Sequence, residues 1–279
     1  MLKIAVQKSD RIAKGFLDLL GKCGFKVDDK QSRLYYKFYE LPIELYFVRG
    51  SDIPALLNEQ FDVAILGKDS FLEYNLNEVA KIEKELGFAK CHLSFAGRGG
   101  VKNFEDLKGK NIATSYGNIL KDLLIKEKIT AKIIEMNGSV ESSIELGISE
   151  IIFDIVQSGS TLLQHGLVEY FKVLDLQAIM IAKNNFKSEI LDQLLFRINA
   201  VLSGEPCRYL MFNLKKSLLD DILKVLPAGK SPTILQLADS NYCAIHTLCR
   251  ESEIWQLAAA LRGAGGEDIL VCDIGLRFL

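Results

Sequence analysis

Ile151-Ile152-Phe153-Asp154-Ile155-Val156-Gln157-Ser158-Gly159-Ser160-Thr161-Leu162 runs from an apolar, β-branched strand through an acidic residue into a hydroxyl-rich, glycine-containing turn, and then into a helix. Strand, turn and helix in that order form the repeating unit of an α/β fold. The same unit recurs on both sides. Residues 2–6, 43–48 and 63–66 read as short strands, separated by helical patterns at 12–20 and 53–58. From Cys91 a second series begins, with strands at 93–96, 111–114, 132–135 and 151–156, a helix opened by Asn103 and another at 118–126. Residues 174–182 read as one apolar strand. Residues 188–202 form an amphipathic helix with Ile190, Leu191, Leu194, Leu195, Ile198 and Leu202 on its apolar side. These patterns predict two lobes with largely parallel sheets and a ligand at the strand carboxyl ends.

Beyond Gly204 the order changes to strand 209–214, helix 217–225, strands 233–237 and 242–248, helix 252–262 and strand 269–274. That βαββαβ order predicts a small ferredoxin-like domain over 206–279. A chain of 279 residues exceeds one ordinary core, and its 49% apolar content is enough to fill several.

The formal net charge is only −2, so no overall field gathers nucleic acid or an anionic membrane, and an anionic ligand requires a local site. The six cysteines lack CxxC or CxH spacing, and three histidines add little to a metal site, so reduced structural thiols are expected. The opening MLKIAVQKSD has no long apolar run, and a soluble cytoplasmic protein is expected.

In the opening stretch, Gly159 permits close backbone approach, and Ser158, Ser160 and Thr161 can offer hydroxyls beside free amides. This combination suits a phosphate monoester. Asp154 is placed to orient sugar hydroxyls, directly or through a metal. The plainer reading is that Ser158–Thr161 only caps a helix.

The wider pattern weighs against a bare cap. Glu141, Gly147, Ile152, Asp154, Ser158, Gly159, Thr161 and Leu162 stand in an order and spacing that resembles the signature of ATP phosphoribosyltransferases. The resemblance extends almost end to end. Gln7-Lys8-Ser9 with Arg11, Arg49 with Asp52-Ile-Pro54, Asp62-Val-Ala-Ile-Leu-Gly67, Ile112-Ala-Thr-Ser-Tyr116 and Asn137-Gly-Ser-Val-Glu141 are similar to successive family motifs.

The resemblance is to the long, homohexameric form with a C-terminal histidine-binding domain. It implies a bilobed periplasmic-binding-protein-like catalytic core, with lobe I at 1–90 and 179–205, lobe II at 91–178 and an ACT-like regulatory domain at 206–279. It also implies Mg2+ and transfer of phosphoribosyl from phosphoribosyl pyrophosphate to N1 of ATP, the first step of histidine biosynthesis, under feedback inhibition by histidine and with a dimer–hexamer assembly.

Carried onto this sequence, the resemblance implies that Asp154, Ser158, Gly159, Ser160 and Thr161 hold the 5′-phosphate and ribose, with Glu141 close by. Lys8, Arg11 and Arg49 are implied for polyphosphates, and Asp69 and Tyr116 for the ATP side. Asn213, Thr233 and Leu248, aligned by the Ser231-Pro232-Thr233 turn, are implied as histidine contacts. Two positions depart from the family pattern: Asp10 replaces a usual glycine, and Ser149-Glu150 replaces alanine–aspartate. Two other readings of the bilobed pattern are a solute-binding protein and a noncatalytic metabolite sensor.

Overall fold

The computed structural model describes residues 1–27, 34–226 and 232–279. They divide into two compact units, one of residues 1–21 with 25–192, the other of 22–24 with 193–279.

The first unit holds two sheets. In order, β1 (Leu2–Gln7), α1 (Asp10–Lys22), β2 (Tyr35–Phe38), β3 (Ile43–Val48), α2 (Ile53–Glu59), β4 (Val63–Gly67), α3 (Lys68–Glu73) and β5 (Ala80–Glu85) supply most of the first sheet. The second is built from β6 (Cys91–Gly97), β7 (Asn111–Thr114), α4 (Gly117–Glu127), β8 (Lys132–Glu135), α5 (Ser142–Glu145), β9 (Ile151–Val156), α6 (Ser160–Gln164) and β10 (Val168–Leu176). The chain then returns as β11 (Ala178–Lys183) and enters α7 (Glu189–Gly204). Strand orders are β2-β3-β1-β4-β11-β5 and β10-β6-β9-β7-β8.

Both sheets are mixed rather than largely parallel. Parallel pairing joins β3, β1 and β4, and also β9, β7 and β8, while β2, β11, β5, β6 and β10 pair antiparallel. Parallel strand β4 is buried on both faces, which is why it reads as a continuous apolar run. Edge strand β5, Ala-Lys-Ile-Glu-Lys-Glu, carries the charges that protect an open edge, and its sequence conceals it.

Residues 174–182 are two strands in two sheets rather than one. Leu176 packs in the core around Phe95 and Phe153, whereas Ile179 packs in the core around Ile53 and Leu57, so apolar character continues through the crossing. Gln177, between them, accepts the Lys68 N–H on its carbonyl and the Gly87 N–H on Oε1, and donates from Nε2 to Glu85. The helix expected from Asn103 is a single 3₁₀ turn, Phe104–Leu107. Asp106 accepts the Lys102 and Asn103 N–H groups, and Gly109, at φ +73°, turns the chain away. The glycine run after β6 is a turn with Gly99 and Gly100 at positive φ.

In the second unit, β12 (Cys207–Lys215), α8 (Leu219–Val225), β13 (Thr233–Gln236), β14 (Tyr242–Arg250), α9 (Ile254–Gly263) and β15 (Glu267–Asp273) follow α7. The antiparallel order β13-β14-β12-β15 is ferredoxin-like. Leu210, Phe212, Leu214 and Ile245 bury one sheet face against Ile222, Leu257 and Leu261 of α8 and α9.

Candidate active site

β9 lies between antiparallel β6 and the shorter parallel strand β7, whose pairing stops at Phe153, so Asp154 and the residues after it emerge at the carboxyl end of the parallel strands. There a pocket of about 250 Å³ is lined by Arg11, Ser94, Glu141, Asp154, the turn 157–161 and the apolar floor of Ala96, Ile152 and Leu162. Gly159 takes φ +72°, a left-handed conformation that favours glycine, and this lets the chain reverse directly into α6. No side-chain cap holds the start of α6. Ser158 Oγ instead lies 3.0 Å from Ser160 Oγ, and Thr161 is exposed beside them. Ser158 Oγ also accepts the Ser160 N–H at 3.5 Å, a long bond at the start of α6, and Ser158, Ser160 and Thr161 all line the pocket.

Burial pushes the Asp154 carboxyl up to about 6; the N–H of Ile155, 2.7 Å from Oδ1, opposes the shift, and the charges of Glu141 and Asp69 add to it. Asp69 lies in the first turn of α3 and is buried; burial raises its carboxyl, while its own N–H and the Arg11 guanidinium pull it down. Glu141 and Asp69 thus both act electrostatically on the Asp154 carboxyl near the end of β9.

Arg11 lines the pocket and interacts with both Asp69 and Cys91. Lys8 and Arg49 are exposed, side by side beyond the carboxyl ends of the paired strands β1 and β3, and are not part of the pocket wall. Tyr116 is half-buried against the second-sheet core, with its hydroxyl 3.5 Å from Asp69 Oδ2.

Asp10 makes no ion pair with Arg11 among the described residues. It opens α1, where an acidic side chain suits the positive helix end. Ser149 Oγ lies 2.6 Å from the buried Ser143 Oγ, and Glu150 pairs with Lys110 at 2.7 Å while accepting the Asn111 N–H. The polar side chains introduced at Ser149 and Glu150 are thus satisfied. The sequence reading missed Ser94, a lone polar residue within Leu93-Ser94-Phe95; its place in an otherwise apolar strand was the available signal.

In the second unit, Asn213, Thr233 and Leu248 share the open sheet face with His246 but do not converge. Asn213 is registered with Ala244, Thr233 with His246 and Leu248 with Tyr209. Asn213 and Leu248 are therefore four residues apart along the ladder, roughly 13 Å at strand spacing. Ser231, at the head of the aligning turn, lies outside the described residues.

Two α/β lobes with a carboxylate-and-hydroxyl pocket at strand ends, followed by a ferredoxin-like domain, define a periplasmic-binding-protein-like core with a C-terminal addition. Residues 49–200 match the family described as ATP phosphoribosyltransferase, and 205–275 match "HisG, C-terminal domain". An ATP phosphoribosyltransferase of Bacteroides thetaiotaomicron is 40% identical over 98% of each chain. The ATP phosphoribosyl transferase (HisG:HisZ) complex from Thermotoga maritima shares the fold, with TM-score 0.59 and 24% identity over 71% of this chain and 97% of that one. So does a periplasmic sulfonate-binding protein from Methylobacillus flagellatus, with TM-score 0.50 and 18% identity over 71% of this chain and 66% of that one.

The chain belongs to the ATP phosphoribosyltransferase family, in its long form, and is a pentosyltransferase of histidine biosynthesis.

Proposed function

We propose that the pocket at the end of β9 is where phosphoribosyl pyrophosphate is held while its phosphoribosyl group passes to N1 of ATP. The observation that carries this reading is the Gly159 turn, which sets Ser158, Ser160 and Thr161 in the pocket wall together with the Asp154 carboxyl. Ser158, Gly159, Ser160 and Thr161 take the 5′-phosphate. Asp154 and Glu141 face the ribose, where their charge stabilises positive character developing at the anomeric carbon as pyrophosphate leaves. Arg11 meets polyphosphate from the opposite wall, with Lys8 and Arg49 further out as a cationic approach. Asp69 and Tyr116 serve the ATP side.

Glu141 and Asp154 are hard oxygen donors, and the charge of Glu141 adds to the burial that raises Asp154, so the pair fits Mg2+ carried on substrate oxygens. Bound there, Mg2+ offsets the charge of the leaving pyrophosphate. Among the described residues, no three His, Cys, Asp or Glu side chains gather as a metal site.

Lobe I is assigned to 1–90 with 179–205, lobe II to 91–178 and regulation to 206–279. In the regulatory domain histidine binds the open sheet face near Thr233 and inhibits the core through quaternary packing of a homohexamer. A cytoplasmic location fits this biosynthetic role; among the described residues no helix is long and apolar enough to cross a membrane. A sensor without catalysis is not favoured, because the family match spans both the core and the C-terminal domain.

The test is the absorbance assay for N1-(5-phosphoribosyl)-ATP on Thr161→Ala and Gly159→Val. A lost hydrogen bond to a charged group costs about 1.5–3 kcal/mol of transition-state binding at subsaturating phosphoribosyl pyrophosphate. Wild-type kinetics in both variants would show the turn to be architecture alone.

A further inference from the structure

Along the Asp154 wall of the pocket, three side chains form a run of hydrogen bonds that the assignments above leave unused. Ser94 is 1% exposed, yet it forms part of the pocket wall. In the β6–β9 ladder it is the direct partner of Asp154, so both side chains leave the sheet on one face. Ser94 Oγ lies 2.5 Å from Glu169 Oε1 on β10, and His92 Nε2 lies 2.7 Å from the same oxygen. Burial pushes the Glu169 carboxyl up, but the hydrogen bonds from Ser94 and His92, with the charges of His92 and Lys172, outweigh it and hold the group below its usual range. Glu169 is therefore an ionised, acceptor-only partner. A serine hydroxyl has one proton. Once that proton points at Glu169, only oxygen lone pairs remain to face the pocket.

We propose that Ser94, with its proton committed to Glu169, is a specificity-determining acceptor for a ribose ring hydroxyl, adjacent to the hydroxyl taken by Asp154. The inference rests on the phosphoribosyl assignment of this pocket. Directly opposed residues of antiparallel strands have Cβ atoms about 4.5–5.5 Å apart, a span that a vicinal diol can bridge. An acceptor-only oxygen beside a carboxylate attracts O–H donors and repels phosphate oxygens. The Ser94–Asp154 end thus takes the sugar and leaves the phosphate to Ser158–Thr161, which sets the direction in which the substrate lies. Glu169 does not touch the sugar and is a positioning residue, and His92 steadies it from the far side.

The test pairs Ser94→Ala with phosphoribosyl pyrophosphate lacking either the 2- or the 3-hydroxyl of the ring, reading KM for each sugar and for ATP. Ser94→Ala raises KM for the natural sugar roughly three- to tenfold, the worth of one hydrogen bond, and leaves KM for ATP in place. One of the two deoxy sugars then loses its KM penalty in the variant, since the hydroxyl and its acceptor are a single interaction. Glu169→Ala moves KM in the same direction, and Glu169→Gln, which keeps an acceptor oxygen for Ser94, restores most of it. Ser94→Cys, with its weakly accepting sulfur, provides the same reading if Ser94→Ala does not fold. Unchanged penalties for both deoxy sugars would overturn the proposal. Thr161→Ala measured alongside separates the two levels: if it is impaired while Ser94 is additive, only this inference fails, and if it is silent the phosphoribosyl assignment itself falls.

Discussion

Glu73, at the end of α3, accepts the backbone N–H of Asn118 at 3.0 Å, and Asn118 Nδ2 donates back to the Glu73 carbonyl at 2.9 Å. The second Glu73 oxygen accepts the Ile119 N–H at 3.1 Å. α4 has no side-chain cap of its own, so a residue of the first sheet's helix satisfies the free amides of a helix on the second. The contact sits beside the Tyr116–Asp69 pair and ties the two halves of the catalytic unit together.

Removing that cap is expected to cost about 0.5–2 kcal/mol, the range for lost N-terminal capping. Glu73→Ala should lower the urea midpoint, whereas Glu73→Gln, which keeps an acceptor oxygen and removes a half-buried charge, should stay close to wild type. A wild-type midpoint for Glu73→Ala would show that water satisfies these amides equally well.

Asp154 has the opposite signature of a group set up for chemistry at the expense of stability. Unfolded, its carboxyl ionises near 3.8; folded, it ionises at about 6, chiefly because it is buried. Its contribution to stability is complete below 3.8 and is lost as pH rises through about 6, a displacement worth on the order of 3 kcal/mol. Asp154→Asn should therefore be more stable than wild type at pH 7, with the difference closing near pH 3.8, while its turnover falls sharply. Melting curves at the two pH values check the sign. Equal melting temperatures at pH 7 would mean the carboxylate is well solvated.

The same shift predicts a fall in wild-type kcat/KM for phosphoribosyl pyrophosphate below about pH 6, as Asp154 takes up its proton. A flat profile from pH 5 to 7 would exclude an ionised Asp154 from the rate-determining complex.

Tyr116 offers a ring half-buried at the cleft and a hydroxyl 3.5 Å from Asp69. That distance makes the hydroxyl a weak partner, so Tyr116→Phe should leave KM for ATP within about twofold. Tyr116→Ala, which removes the aromatic face, should raise it by about tenfold if adenine stacks there. Equal effects of the two substitutions would place the function in the hydroxyl.

In the C-terminal domain, Asn213 supplies no charge to an effector's ammonium group, but its Nδ2 lies 3.4 Å from Asp268 Oδ2 on β15. Asp268 is thus the acid beside Asn213 that can pair with that ammonium. Calorimetric titration of histidine into the intact protein should show binding that weakens in Asp268→Asn and in Thr233→Ala, each by about 1.5–3 kcal/mol for a charge-assisted or buried contact. An active enzyme that takes up no heat at millimolar histidine would rule out the effector site.

The sequence alone determined the order of elements wherever burial is uniform. Strands β3, β7 and β9 are bounded by their own apolar runs, and Gly159 marks the turn because a left-handed residue there has few alternatives. It also marked Asp154, Glu141 and the hydroxyl turn, which lie within about twenty residues of one another. Tertiary structure decided what depends on partners far apart in the chain. The break at Gln177 is invisible in composition, because Leu176 and Ile179 are equally apolar although they fill different cores. Asp154 ionises late chiefly because the packing buries it, with the charges of Glu141 and Asp69, brought from other elements, adding to the shift. Ser94 acquires a direction for its proton only because β10 lays Glu169 beside β6, 75 residues away in sequence. Periodicity records which face of an element is buried; the identity of the group across that face is set by the packing of strands and helices whose pairing no local pattern encodes.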